Sequence, residues 1–101
     1  MKAKNKAKYP VAGVTQLREI LEEQKYRCAL TGERLTPENS CFDHIVPLSK
    51  GGSSLKENLQ AVTKVANLSK GSLTMSEYNN LCFVVLNRHR KKYGRRVPSI
   101  Q

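Results

Sequence analysis

Residues 43–70 read DHIVPLSKGGSSLKENLQAVTKVANLSK, and the turn residues inside that stretch leave the backbone few choices. Pro47 cannot donate to a sheet ladder, so the apolar run over 41–46 reads as a short strand that closes there. The Gly51-Gly52-Ser53-Ser54 loop then leads to a second apolar run over 59–62. A helix-like segment over 63–70 follows and is stopped by Gly71. Two strands joined by a loop and followed at once by a helix make a ββα unit, so the chain is expected to be α+β.

The flanks supply one helix on each side. From Thr15, read as the N-cap, Leu17, Ile20, Leu21 and Gln24 keep helical spacing, which predicts an amphipathic helix over about 15–25. Thr31-Gly32 and Pro37-Glu38-Asn39 frame a short hairpin within 28–39. Thr74 and Glu77 form a capping-box pattern, and Tyr78, Leu81, Cys82, Val85 and Leu86 form the apolar face of a last helix that Gly94 and Pro98 end. With 101 residues the chain has room for one domain with a modest core. The expected organisation is a basic, disordered arm over 1–12, one domain over 13–94 and a basic tail over 95–101.

The formal net charge of +10 is concentrated at the two ends. Lys2, Lys4, Lys6 and Lys8, with Arg88, Arg90, Lys91, Lys92, Arg95 and Arg96, are ten cations without an intervening acid, whereas the eight remaining bases balance all eight acids. Such ends suit a polyanion, since each phosphate neutralised releases counterions; solubility is the plainer alternative. No apolar run approaches the roughly 18 residues that span a bilayer, and the first residues lack a hydrophobic signal region. A soluble, cytoplasmic protein without a membrane partner is therefore expected. Cys28, Cys41 and Cys82 are odd in number and show no Cys-x-x-Cys spacing, which predicts reduced thiols rather than disulfides or a cysteine zinc site.

Asp43 is the chain's one aspartate, and His44 follows it directly. A carboxylate and asparagine oxygens suit a hard divalent cation, while a neutral imidazole can take a proton from water near neutral pH. Asn67, inside a helical run where asparagine is a poor former, needs a reason to be there. Lys70 lies three residues further on the same helix face, where its ammonium either meets a phosphate or complements the helix dipole. One geometric demand follows. Successive strand residues point to opposite faces, so Asp43 and His44 serve one site only where the strand twists, bulges or ends.

With Asp43-His44, Asn58 and Asn67 as its three elements, and Ile45, Pro47, Gly51-Gly52, Leu59-Gln60 and Lys70-Gly71 as their company, the segment resembles the HNH endonuclease family and its ββα-metal motif. The likeness covers at least 28–70. It implies a metal-dependent DNA endonuclease that cuts one strand at a time and leaves a 5′-phosphate and a 3′-hydroxyl. It implies His44 as general base, Asp43 and Asn67 as ligands of one divalent cation, and Asn58 as a fastener of the loop behind the strand that carries His44. Mg²⁺ or Mn²⁺ fits best, with Ni²⁺ or Zn²⁺ as further candidates. Lys70, Lys50, Arg88, Lys91, Lys92 and Arg95 are the expected nucleic-acid contacts. Many members of the family also carry two Cys-x-x-Cys knuckles for a structural zinc. Here Cys28, Thr31, Thr63 and Ala66 stand in those places, so no structural zinc is expected, and packing of the first and last helices has to replace the clamp, with Cys28 and Cys82 as small buried apolar residues. Two other readings stay open: a catalytically idle DNA-binding module of the same fold, and a basic RNA-binding protein.

Overall fold

The computed structural model describes residues 10–94. Helix α1 spans Val14–Glu23, strand β1 Ser40–His44, strand β2 Leu59–Thr63, helix α2 Lys64–Lys70 and helix α3 Met75–Tyr93. The strands form an antiparallel pair with Cys41 opposite Val62 and Asp43 opposite Gln60. Helix α2 leaves β2 without a linker and packs on both strands, while α1 packs against β2. The fold is α+β, a hairpin seated on a helix. Four of the predicted cations, Lys2, Lys4, Lys6 and Lys8, lie outside the described residues, as do Arg95 and Arg96.

The core is small. Ile20, Cys28, Leu35, Ala61, Val62 and Ala66 are buried together, with Leu17, Leu21, Leu30, Cys41, Phe42 and Leu59 packed around them. Helix α1 begins earlier than its pattern suggests, because Gly13 and not Thr15 takes the cap position and its N–H is met by Gln16 Oε1 at 3.1 Å. Beyond the C-cap Gln24 come two left-handed residues, Lys25 (φ 55°) and Tyr26 (φ 58°). That conformation is uphill for residues with a Cβ. It turns the chain into the expected hairpin, a single antiparallel bridge between Arg27 and Arg34, and Leu35 N–H bonds Tyr26 O at 2.8 Å to hold it.

One side chain joins α1 to the sheet. Gln24 Nε2 donates to Arg27 O (2.7 Å) and Ala61 O (2.9 Å), while Gln24 Oε1 accepts from Ala61 N–H (2.9 Å). The amide thus pairs with Ala61 as a neighbouring strand would. Two residues on, Thr63 N–H donates to Cys28 Sγ at 3.3 Å, and Thr63 Oγ1 accepts from Ala66 N–H as the N-cap of α2. Cys28 is buried as expected, yet it is more than a small apolar residue. Burial pushes its thiol up, but hydrogen bonds from the Thr31 side chain and from the Thr63, Thr31 and Leu30 backbone outweigh that and hold it below its ordinary value.

The last helix departs from expectation. Its capping box is present, with Thr74 N–H on Glu77 Oε1 (2.9 Å) and Glu77 N–H on Thr74 Oγ1 (3.1 Å). However, α3 buries none of its residues, and Cys82 is exposed along with Leu81, Phe83, Val84 and Val85. The spacing of Tyr78, Leu81, Cys82, Val85 and Leu86 marks an apolar stripe but cannot say what the stripe meets. Ser69 of α2 meets its first residue, Tyr78, and most of the rest stays exposed, so the clamp that the last helix was to provide comes instead from Gln24, Cys28 and Thr63. No helix among the described residues is long and apolar enough to cross a membrane.

Replacing Gln24 by Ala leaves the buried Ala61 N–H without a partner. The expected loss is about 1–3 kcal/mol of stability, the cost of an unsatisfied buried donor, measured by urea denaturation. A loss no larger than that of an exposed α1 substitution such as Glu22→Ala would show that Gln24 does not hold the sheet.

Candidate functional site

Strand β1 ends at His44, and the chain bends at Ile45 and Val46. That ending meets the geometric demand of the sequence: Asp43 and His44, neighbours in sequence, both line one open cleft of about 350 Å³ together with Phe42, Pro47, Leu48, Ser49, Asn67, Gly71 and Ser72. The cleft therefore lies between the end of β1, the loop after Pro47 and the face of α2 that carries Asn67. The Asn67 side chain lies close to the Cys41 thiol. Burial and the Asp43 charge push that thiol up, against Lys64 and Asn67.

Asp43 is 5% exposed and fully engaged. Gln60 Nε2 donates to Oδ2 at 2.9 Å, and Lys70 Nζ lies 3.3 Å from Oδ1 and 3.2 Å from Oδ2. The same ammonium donates to His44 O at 3.1 Å. Lys70 is 1% exposed, so its side chain runs inward from α2 rather than out to solvent.

His44 is half-buried, and its Nε2 lies 2.9 Å from Ser54 Oγ. Ser54 is itself anchored, since its carbonyl accepts from Ala12 N–H at 2.8 Å and the residue forms a parallel bridge with Val11. The sequence reading misses Ser54; a hydroxyl in a Gly-Ser loop carries no signal beyond turn propensity. That contact engages Nε2 and leaves Nδ1 outside it.

Asn58 is not among the residues of the cleft. Its Oδ1 accepts from Val46 N–H (2.9 Å), and its Nδ2 donates to Val46 O (3.0 Å) and Ser53 O (2.7 Å). With Ile45 N–H on Asn58 O (2.9 Å), these bonds close the loop that follows His44. Gly52 lies against the clasp: a Cβ there would overlap Val46 O and come within 2.7 Å of Asn58 Nδ2. Its neighbour Gly51 is needed for a different reason, a φ of 90°.

The remaining charged candidates sit elsewhere. Lys50, at the end of the short 3₁₀ turn Leu48–Lys50, pairs with Glu77 at 2.5 Å, tying the loop to the start of α3. Its hydrogen bond, helped by Thr74 N–H, holds the Glu77 carboxyl down at about 2. Arg88, Lys91 and Lys92 are exposed on the far half of α3 and do not line the cleft. Arg95 lies outside the described residues.

Among the described residues, no three His, Cys, Asp or Glu side chains converge as a metal cage. The cleft is lined by one carboxylate and one amide, Asp43 and Asn67, with the hydroxyl residues Ser49 and Ser72 beside them. That set is too thin for zinc held by protein alone, but it suits a magnesium-like ion that keeps several waters and completes its shell with a substrate phosphate. Asp43 is the one carboxylate that lines the cleft, and its oxygens already meet the Lys70 ammonium and the Gln60 amide.

The chain is 42% identical over 53 residues to the CRISPR-associated endonuclease Cas9 of Corynebacterium diphtheriae. The match takes in 52% of this chain and 5% of that much longer protein, so it relates half of the chain to a small stretch of an endonuclease. No family model matches the chain.

The clasp yields a direct expectation. Asn58→Ala removes three hydrogen bonds, two of them to Val46, so amide exchange at Val46 should accelerate far more than at Val62 in the core. Unchanged Val46 exchange would show that the loop holds its shape without the amide.

Proposed function

We propose that this chain is a divalent-metal-dependent endonuclease of HNH type that hydrolyses DNA phosphodiester bonds by nicking one strand at a time. The convergence of Asp43, His44 and Asn67 on one cleft carries this reading, and the partial likeness to an endonuclease supports it. A cation held by Asp43 and Asn67, Mg²⁺ or Mn²⁺ by the hardness of the donors, would supply charge stabilisation at a phosphoryl oxygen. His44, through Nδ1, accepts the proton of the attacking water. Ser54 keeps the ring in place, its Oγ accepting a hydrogen bond from Nε2–H, so the imidazolium that forms keeps its partner. Asn58 holds the turn behind His44. Attack at phosphorus with loss of the 3′-oxygen leaves a 5′-phosphate and a 3′-hydroxyl, the outcome that the HNH likeness implies.

DNA would be held mainly by charge. Arg88, Arg90, Lys91 and Lys92 form a solvent-facing basic surface on α3, and the terminal lysines and arginines extend the positive charge of the sequence at either end. One observation favours a second reading, a catalytically idle DNA-binding module: Asp43 has its oxygens taken by Lys70 and Gln60.

Plasmid nicking with and without EDTA separates the two. Nicking that requires added Mg²⁺ or Mn²⁺ is expected, and DNA binding with no cleavage under any of Mg²⁺, Mn²⁺, Ni²⁺ or Zn²⁺ would leave the idle module. His44→Ala should lower the cleavage rate about 10²- to 10⁴-fold, the usual worth of a general base, with Mn²⁺ binding retained. Asp43→Ala and Asn67→Ala should instead weaken Mn²⁺ binding in calorimetry, and high metal should restore part of the lost activity.

The charge assignment has its own measurement. Deleting residues 1–8 removes four lysines and should flatten the log-log salt dependence of DNA binding by up to about 3.6, roughly 0.9 for each phosphate no longer neutralised. Replacing Arg88, Lys91 and Lys92 with Gln should flatten it by up to about 2.7 on the same scale. A slope unchanged in both variants would mean that these cations serve solubility.

A further inference from the structure

Lys70 is the largest fully buried side chain among the described residues, and it carries a charge. An ammonium is withdrawn from water only against a partner, and here the partner is the carboxylate proposed to hold the metal. The geometry is that of a seated cation: Nζ is nearly equidistant from the two Asp43 oxygens and also takes the His44 carbonyl. Asn67 lies one helical turn before Lys70 on the same face of α2, so the seated cation and the second oxygen donor belong to one short helix. Asp43 has a single negative charge. It cannot neutralise an ammonium and a divalent ion together, and their mutual repulsion at a few Å in a half-buried site is large.

We propose that Lys70 is the resident counter-cation of the Asp43 seat, and that a divalent ion binds there by displacing the ammonium into the cleft. Lys70 thereby sets the affinity of the metal site. This inference rests on the metal-dependent reading above. It reassigns the residue: in the metal-free protein Lys70 neutralises Asp43 and holds α2 to β1, and it reaches the cleft, where a phosphate would lie, only after the seat is taken. A lysine that was simply a permanent structural pin would stay buried whatever the metal concentration.

Two measurements on the whole chain decide it. In the first, lysines of the unaltered protein are acetylated with a water-soluble ester and quantified by mass spectrometry, with the exposed Lys64 on the same helix as internal reference. Lys70 should be protected relative to Lys64 without metal and should lose that protection at saturating Mn²⁺. In the second, Mn²⁺ binding to Lys70→Met is followed by calorimetry. Removing the competing charge should tighten binding by more than about tenfold, and the thermal shift produced by Mn²⁺ should grow, since the variant leaves Asp43 without its buried counter-charge. Should Lys70→Met not fold, acetylation of the parent chain decides alone.

Mn²⁺ binding with Lys70 still protected, or Lys70→Met binding Mn²⁺ no more tightly than the parent, overturns the displacement while leaving the metal site standing. Absence of Mn²⁺ binding in both proteins ends the metal reading itself, and the displacement with it.

Discussion

A carboxylate buried at the end of a short strand is the constraint around which the rest of this molecule is arranged. Asp43 has almost no contact with water, so the fold must answer its charge from within. It does so with a lysine from α2 and an amide from β2. A buried pair of this kind adds little net stability, but it is costly to break by removing one member. Its effect is positional. Drawing Lys70 inward fixes how α2 lies against β1, brings Asn67 over the Cys41 thiol, and leaves the cleft between the helix and the loop beyond Pro47.

The framework of the ββα unit is legible because its limits are written in residues with few conformations. Gly51 closes the 3₁₀ turn and Gly71 ends α2 directly, whereas β1 stops at His44, three residues short of Pro47; Thr63 and Thr74 cap the helices that follow them. The meeting of Asp43 with His44 can be posed as a question from the two-residue strand period, and the early end of β1 answers it. Other features carry no periodic signal. Gln24 reads as a helix position and proves to be a hydrogen-bonding partner for Ala61; Ser54 reads as loop and holds His44; Lys70 reads as a helix-end cation and is buried. Each depends on an interaction between elements distant in sequence, and no local pattern encodes it.

The last helix shows the opposite failure. Its pattern is strong, yet the expectation drawn from it is wrong, because an apolar stripe states a need for cover and does not name the cover. Helix α3 is held at its beginning by its own capping box, by Lys50 on Glu77 and by a 3.0 Å bond between Tyr78 and Ser69. Beyond Tyr78 the helix is exposed except at Leu86 and His89. Among the described residues none of its cations pairs with an acid, whereas Lys56, in the middle of the sequence, pairs with Glu19 and Glu23 of α1.

The glutamine that closes the sheet has one further consequence. A pair of strands is the smallest possible sheet, and an unpaired strand edge is a template on which another chain can add itself. On β2 the Ala61 amide and carbonyl are already taken by Gln24 and Ala29, and the Thr63 amide by Cys28. The side of the hairpin that would recruit a neighbour is satisfied from within its own chain. Resistance to ordered aggregation thus rests, on that side, with a glutamine amide, the Ala29 N–H and one thiol rather than with the high positive charge.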